Sequence, residues 1–106
     1  MTKILDKLDL ILKDRKNKDP KESYVSTLYQ KGLDHTCDKI NEESLELINA
    51  LKKESKKKII SEATDLWFHT LVSLAIKNLT YHDILKELEK RFGKSGHIEK
   101  KNRGTN

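Results

Sequence analysis

The stretch EESLELINALKKESKKKIISEATD, which begins at Glu42 and ends at Asp65, carries two short acidic clusters separated by a lysine-rich segment. Glu42, Glu43 and Glu46 fall within a strip about 100° wide when the first cluster is drawn as a helix. Glu62 and Asp65 are three residues apart and share one face of a second helix. The stretch therefore predicts two amphipathic helices that carry carboxylates beside the faces through which they pack.

Acidic side chains beside an apolar stripe become partly buried when helices pack, and like charges repel strongly once water is removed. A hard divalent cation with oxygen ligands relieves that repulsion. The residues alone leave two interpretations open: a metal site, and exposed helix faces on which acids pair with nearby lysines. The second cluster strengthens the metal interpretation, because it lies on a largely apolar helix with His69 one turn beyond Asp65.

Apolar residues elsewhere recur at helical spacing, and no useful run alternates with the period of a β-strand. Pro20 blocks continuation of the first helix, and Gly32 can end the second. We predict an all-α fold of four or five helices, with the two acid-bearing helices packed antiparallel so that their clusters face each other. The expected helices are one ending near Arg15, one from Ser23 to Gly32, one from an Asp34 N-cap to about Lys53, one from about Lys56 to Lys77, and one from a Thr80–Asp83 capping box to Gly93.

The length of 106 residues indicates one domain. We assign residues 1–93 to a single all-α domain and residues 94–106 to a basic, flexible tail that has no hydrophobic face. The net charge of +5 suits a polyanionic partner, which could be nucleic acid, a membrane surface or a phosphorylated metabolite. No apolar run approaches the ~20 residues that span a bilayer, and no signal peptide is visible, so we expect a cytoplasmic protein without a membrane partner.

The order of the acids, Glu42-Glu43-x-x-Glu46 followed by Glu62-x-x-Asp65, resembles the signature of the all-α nucleoside triphosphate pyrophosphohydrolases. That superfamily contains MazG and the dimeric dUTPases. Within it, the phrases around the acids resemble phosphoribosyl-ATP pyrophosphatase over about residues 19–103. These phrases include Asp19-Pro20, Ser23-Tyr24-Val25, Lys31-Gly32, Lys39-Ile40, Asp65-Leu66-Trp67-Phe68-His69, Arg91-Phe92-Gly93 and Ser95-Gly96.

The chain departs from this family pattern at Asn41, where the family usually has Gly, and at Thr64, where it usually has Ala. Neither departure touches one of the acids. The resemblance implies a MazG-like bundle that is completed by dimerisation. It also implies hydrolysis of phosphoribosyl-ATP to phosphoribosyl-AMP and pyrophosphate, the second step of histidine biosynthesis.

The resemblance also implies roles for individual residues, with Mg²⁺ as the cofactor. We expect Glu43 and Glu46 to be catalytic, and we favour Glu43 as the base that activates water. Metal ligands would come from Glu42, Glu43, Glu46, Glu62 and Asp65, and substrate contacts from Lys31, Lys39, His69, Arg91, Lys94 and Ser95. Trp67 and Phe68 are expected in the core, with stacking on adenine as the alternative.

Three other functions fit parts of the sequence. The nearest is a housecleaning pyrophosphohydrolase of the MazG and dUTPase type, acting on canonical or damaged nucleotides. A basic nucleic-acid-binding module could use Lys52–Lys58 and the tail, but it leaves the acids unexplained and its basic patches lack interleaved aromatic residues. A purely structural bundle is the third, and it predicts that neutralising the acids changes stability alone. We therefore expect a homodimeric enzyme with a small-molecule substrate and no nucleic-acid partner.

Overall fold

The computed structural model describes residues 3–93, and within that range all regular secondary structure is helical, with no β-strand. The predicted all-α class with up to five helices is confirmed; its completion by dimerisation stays a prediction. None of the helices within this range is both long and apolar enough to cross a membrane. The elements are α1 (Lys3–Arg15), a 3₁₀ turn (Pro20–Glu22), α2 (Tyr24–Lys31), α3 (Leu33–Lys53), α4 (Lys56–Ile76) and α5 (Tyr81–Phe92).

Local capping chemistry sets most of the helix boundaries. Ser23 caps α2, where its Oγ accepts a hydrogen bond from the backbone N–H of Ser26. Gly32 ends α2 with φ of 87°, a left-handed conformation that suits glycine. The prediction that Asp34 caps α3 is wrong, because α3 already begins at Leu33 after Gly32. Asp34 lies instead in the first turn, where its negative charge complements the helix dipole.

The start of α4 near Lys56 and the capping box of α5 agree with the sequence-based expectation, and Ser55 also caps α4. Ser55 Oγ accepts from the backbone N–H of Lys58 at 3.3 Å and starts α4. Thr80 and Asp83 form the predicted capping box on α5: Thr80 Oγ accepts from the N–H of His82 at 3.1 Å, and Asp83 Oδ2 accepts from the N–H of Thr80 at 2.9 Å. These reciprocal bonds satisfy backbone donors that a helix start otherwise leaves unpaired.

The apolar core joins α1, α2 and α4 around Leu12, Leu28 and Val72. Two hydrogen bonds add to this junction, because Ser26 Oγ donates to the Arg15 carbonyl at 2.8 Å and Tyr29 OH donates to the Leu12 carbonyl at 2.7 Å. Partly buried side chains extend the cluster, namely Leu8, Val25, Phe68, Leu71, Ala75 and Ile76. Among the residues that the structure describes, no side chain of α3 belongs to this cluster.

Helices α3 and α4, each of 21 residues, form an antiparallel hairpin around Glu54 and Ser55. The buried residues of α3 are Thr36, Glu43 and Ala50, which follow one another at seven-residue intervals and mark the seam against α4. On α4, Glu62 and His69 are buried with the same seven-residue separation. The seam of this hairpin is therefore polar at its centre.

One core prediction is wrong. Trp67 is 65% exposed, whereas Phe68 is partly buried against the core as expected. Trp67 lies in an open apolar groove of about 460 Å³ between α1, α4 and α5. Apolar residues encircle α4, but one face of the helix is not covered within the chain and stays open to solvent.

Candidate active site

The antiparallel hairpin brings the two acidic clusters together, as predicted. Glu43 and Glu62 are buried, with 8% and 6% of their surface exposed, while Glu42, Glu46 and Asp65 are more exposed. Burial of carboxylates between helices is unfavourable unless charge or hydrogen bonds compensate for the lost water. The compensation differs between the two ends of the cluster.

Glu46 and Glu62 lie next to each other across the hairpin. Their contact is the main reason why the pKa of Glu46 is raised above its ordinary value, and burial and the charge of Glu62 act in the same direction. The pKa of Glu62 is lowered, first by a hydrogen bond from Lys58 and then by the contact with Glu46. Lys58 Nζ lies 3.0 Å from Glu62 Oε1. The two carboxyl groups therefore interact, and Lys58 offsets the charge of Glu62.

Glu43 is matched with His69 at the other end of the cluster. Nδ1 of His69 lies 2.7 Å from Glu43 Oε1 and 3.2 Å from the carbonyl oxygen of Asp65. On the far side of the ring, Nε2 of His69 lies 3.4 Å from the hydroxyl of Tyr24. Burial raises the pKa of Glu43 and outweighs the lowering effect of His69, while the charge of Asp65 raises it further. His69 therefore orients Glu43, and Tyr24 contacts His69.

The remaining two acids also belong to the cluster. The charge of Glu42 raises the pKa of Glu46, and that of Asp65 raises the pKa of Glu43. The acids therefore lie close enough for the charge of one to shift the pKa of another. The hairpin thus gathers the complete set of acids that the sequence indicated.

The residues fit a divalent cation, although no group of three or more His, Cys, Asp or Glu side chains within residues 3–93 is already arranged around one point. Glu62 Oε2 is buried without a hydrogen-bond partner, whereas the buried Oε1 of Glu43 has Nδ1 of His69 at 2.7 Å. A buried carboxylate oxygen without a donor costs free energy that a cation would recover. Mg²⁺ commonly takes only one or two carboxylates and completes its shell with water and phosphate oxygens.

The predicted substrate-binding residues are distributed over several elements. Lys39 joins the acids through an ion pair in which its Nζ lies 3.7 Å from Glu42 Oε2. Lys31 is exposed in the last turn of α2. Arg91 lies on α5, where its Nε donates to Glu87 Oε2 at 2.8 Å. Lys94 and Ser95, with the rest of the proposed tail, lie outside the described residues.

Sequence reasoning missed two residues at the site, Lys58 and Tyr24. Lys58 lies in the lysine-rich run Lys52–Lys58, where its position four residues before Glu62 is the spacing of a helical ion pair. Tyr24 lies on α2, and its contact with His69 joins residues 45 positions apart in sequence. No local pattern could have indicated that second contact.

Comparison with known proteins gives a consistent result. The family model described as phosphoribosyl-ATP pyrophosphohydrolase matches residues 5–92. A phosphoribosyl-ATP pyrophosphatase of Vesicomyosocius okutanii is 52% identical over 103 residues, which cover 97% of this chain and 98% of the relative. Proteins of the same name from Hydrogenovibrio crunogenus and Azoarcus sp. are 47% and 45% identical, and the alignments cover at least 94% of each chain.

Proposed function

For a chain that belongs to the phosphoribosyl-ATP pyrophosphohydrolase family, we propose Mg²⁺-dependent hydrolysis of phosphoribosyl-ATP at the acid cluster of the α3–α4 hairpin. The products are phosphoribosyl-AMP and pyrophosphate, as in the histidine biosynthesis step that this family performs. The observation that supports the Mg²⁺ requirement is Oε2 of Glu62, a buried carboxylate oxygen that has no hydrogen-bond partner. We further propose that the enzyme works in the cytoplasm.

Glu46 and Glu62, with Asp65 and Glu42 beside them, would hold the metal ion. Mg²⁺ would supply Lewis-acid polarisation of the phosphoanhydride and offset the charge that develops on the departing pyrophosphate. Glu46 and Glu62 would hold the ion in their ionised form, because a carboxylate must be ionised to act as a ligand. Lys39, paired with Glu42, is placed to contact a phosphate oxygen of the substrate.

Glu43 would act as the general base. Its carboxylate would take a proton from the attacking water while the water oxygen forms a bond to phosphorus. The anhydride P–O bond then breaks, and its electron pair leaves with the pyrophosphate. The close contact with His69 keeps the Glu43 carboxylate in one orientation, and the hydroxyl of Tyr24 lies on the far side of the imidazole. Positioning of this kind is what a general base requires.

We also propose that the active enzyme is a homodimer. Trp67, Leu85 and Leu88 are 65%, 40% and 47% exposed and line the same groove of about 460 Å³. On α3, Leu45 and Leu51 are 61% and 60% exposed. Monomeric proteins rarely leave such contiguous apolar surface in water, and a small domain gains stability when a partner covers it.

The dimer is tested by Trp67→Glu, with Trp67→Phe as the matched control. Sedimentation should give a dimer for wild type and the control. The glutamate variant should dissociate, because a charge would be buried without a partner. A wild-type protein that sediments as a fully active monomer would refute the proposal.

The proposed reaction is tested by measuring pyrophosphate release from phosphoribosyl-ATP with Mg²⁺ and with EDTA, in wild type and in Glu46→Ala. Loss of a residue that merely supports a ligand costs about 10–100-fold in metal affinity or activity, so loss of the ligand itself should cost at least that. EDTA should abolish turnover of the wild type. Faster hydrolysis of dUTP or dCTP than of phosphoribosyl-ATP would instead indicate a housecleaning enzyme.

A further inference from the structure

A second cavity adjoins the acid cluster at the Ser55 end of the hairpin. Its volume is about 290 Å³, and Lys58 and Asn49 are its non-acidic polar side chains. Glu62 also lines it, and Oε2 of that buried residue has no hydrogen-bond partner. The remaining lining residues are Glu46, Ala50 and Glu54. A buried, unpaired carboxylate oxygen beside an open cavity indicates that a divalent cation would complete this end of the site, and such a cation would in turn bind phosphate oxygens.

The two ends of the acid cluster differ in chemistry. Five lysines surround the turn at Ser55, and the first N–H groups of α4 point out at the same end. At the opposite end, the rings of Tyr24 and Phe68 stack with centroids 6.2 Å apart, beside His69. Anions are favoured at the lysine-rich end, and flat heterocycles are favoured beside the aromatic rings.

We infer that the cavity at the Ser55 end receives the two phosphates that leave as pyrophosphate, together with the divalent cation that the acids would hold, and that Lys58 is the side chain that selects them. This inference rests on the proposed hydrolysis of phosphoribosyl-ATP. It orients the substrate along the hairpin, with the polyphosphate toward Ser55 and the nucleoside toward Tyr24. Asn49 offers an amide donor on the facing wall of the same cavity.

Lys58 suits this role because its present partner can be replaced. Its Nζ lies 3.0 Å from Glu62 Oε1, and 55% of the side chain is exposed, so the ammonium group can turn on its flexible stem. A divalent cation bound at Glu62 would weaken the attraction of Lys58 to that carboxylate. Its three N–H donors are then available to phosphate oxygens within the same cavity.

The inference is tested by comparing wild type with Lys58→Met, Lys58→Arg and Lys57→Met. Lys57 lies in the same first turn of α4 and is exposed, but it does not line the cavity, so it is a matched control for loss of one charge. Two quantities are measured for each protein at a fixed Mg²⁺ concentration. They are the binding of pyrophosphate by calorimetry, and the inhibition constants of pyrophosphate and of AMP.

Lys58→Met should weaken pyrophosphate binding by about tenfold or more, which corresponds to the loss of one charge-assisted hydrogen bond. Its AMP inhibition should stay within about twofold. Lys58→Arg should retain most of the affinity for pyrophosphate, and Lys57→Met should change it by less than about threefold, as expected for a screened charge.

Unchanged pyrophosphate binding in Lys58→Met would overturn the inference. An equal loss for pyrophosphate and AMP would also overturn it, because Lys58 would then act only through Glu62 and the metal. These outcomes differ from failure of the proposed function, in which the wild type itself would release no pyrophosphate from phosphoribosyl-ATP.

Discussion

Replacement of Glu43 by Gln should raise the stability of the folded protein and lower its catalytic activity. The change removes one negative charge with almost no change of shape at a position that is 8% exposed. Burial raises the pKa of Glu43 in the folded protein, and the charge of Asp65 adds to the effect. A carboxyl group with a raised pKa supports folding below its unfolded pKa and loses that contribution as the pH rises.

The raised pKa of Glu43 fixes the sign of the change in stability. Near pH 7, without metal, the raised pKa of Glu43 means that this group disfavours the folded state, so Glu43→Gln should raise the free energy of unfolding. At about pH 4 and below, both proteins carry a neutral group at this position, and the difference should vanish. The rate of pyrophosphate release should fall, because Gln cannot accept a proton from the attacking water. Loss of a general base costs about 10²–10⁴-fold, or about 2.7–5.5 kcal/mol of transition-state free energy.

The assay combines urea unfolding in EDTA at these two pH values with pyrophosphate release in Mg²⁺. Asp38→Asn is the control, because it removes an exposed acid from the same helix and should change neither quantity by much. If Glu43→Gln unfolded at lower urea than wild type near neutral pH, the argument from burial would be wrong. If it retained activity within about tenfold, Glu43 would not be the base.

Three further substitutions test the hydrogen bonding, packing and capping of the helices around the site. Tyr29→Phe removes the 2.7 Å hydrogen bond to the Leu12 carbonyl and should lower the free energy of unfolding by about 1 kcal/mol in urea titrations. Because burial and the charge of Asp9 raise the pKa of Tyr29, wild type should lose stability as the pH rises above its unfolded value of 10.0, and Tyr29→Phe should lack that loss. Leu28→Ala empties a fully buried position and should cost about 2–5 kcal/mol in the same titration. Thr80→Ala removes the cap of α5 and should cost about 1 kcal/mol, seen as faster hydrogen exchange in the first turn of α5.

Helix positions could be predicted because their causes are local. A capping box, a glycine or a proline acts within a few residues, so a short stretch of sequence is enough to predict where a helix begins or ends. The misplaced cap at Asp34 shows the limit of such reasoning. Gly32 both ends α2 and starts α3, and an acid in the first turn of a helix looks much like an acid at its cap.

Side-chain partners were harder to predict than helices. A lysine four residues before an acid is common on exposed helix faces, so the pattern alone could not distinguish Lys58 from its neighbours. Its importance comes from the burial of Glu62, which depends on how α3 packs on α4. Trp67 was assigned to the core because apolar residues encircle α4, but periodicity cannot tell whether the same chain or a partner covers a given face.

The placement of the acids explains why this small domain has its core elsewhere. In most helical hairpins, apolar residues at seven-residue intervals fill the seam and hold the two helices together. Here the central seam positions are Glu43 on α3 and Glu62 and His69 on α4, with only the small side chains of Thr36 and Ala50 flanking Glu43. The hairpin therefore gives up part of its packing energy to create the site.

The core at Leu12, Leu28 and Val72 anchors α4 to α1 and α2, while α3 retains exposed leucines at Leu45 and Leu51. A bound cation and a second subunit would stabilise the same hairpin at its seam and on its outer faces, so metal binding and dimerisation should reinforce each other.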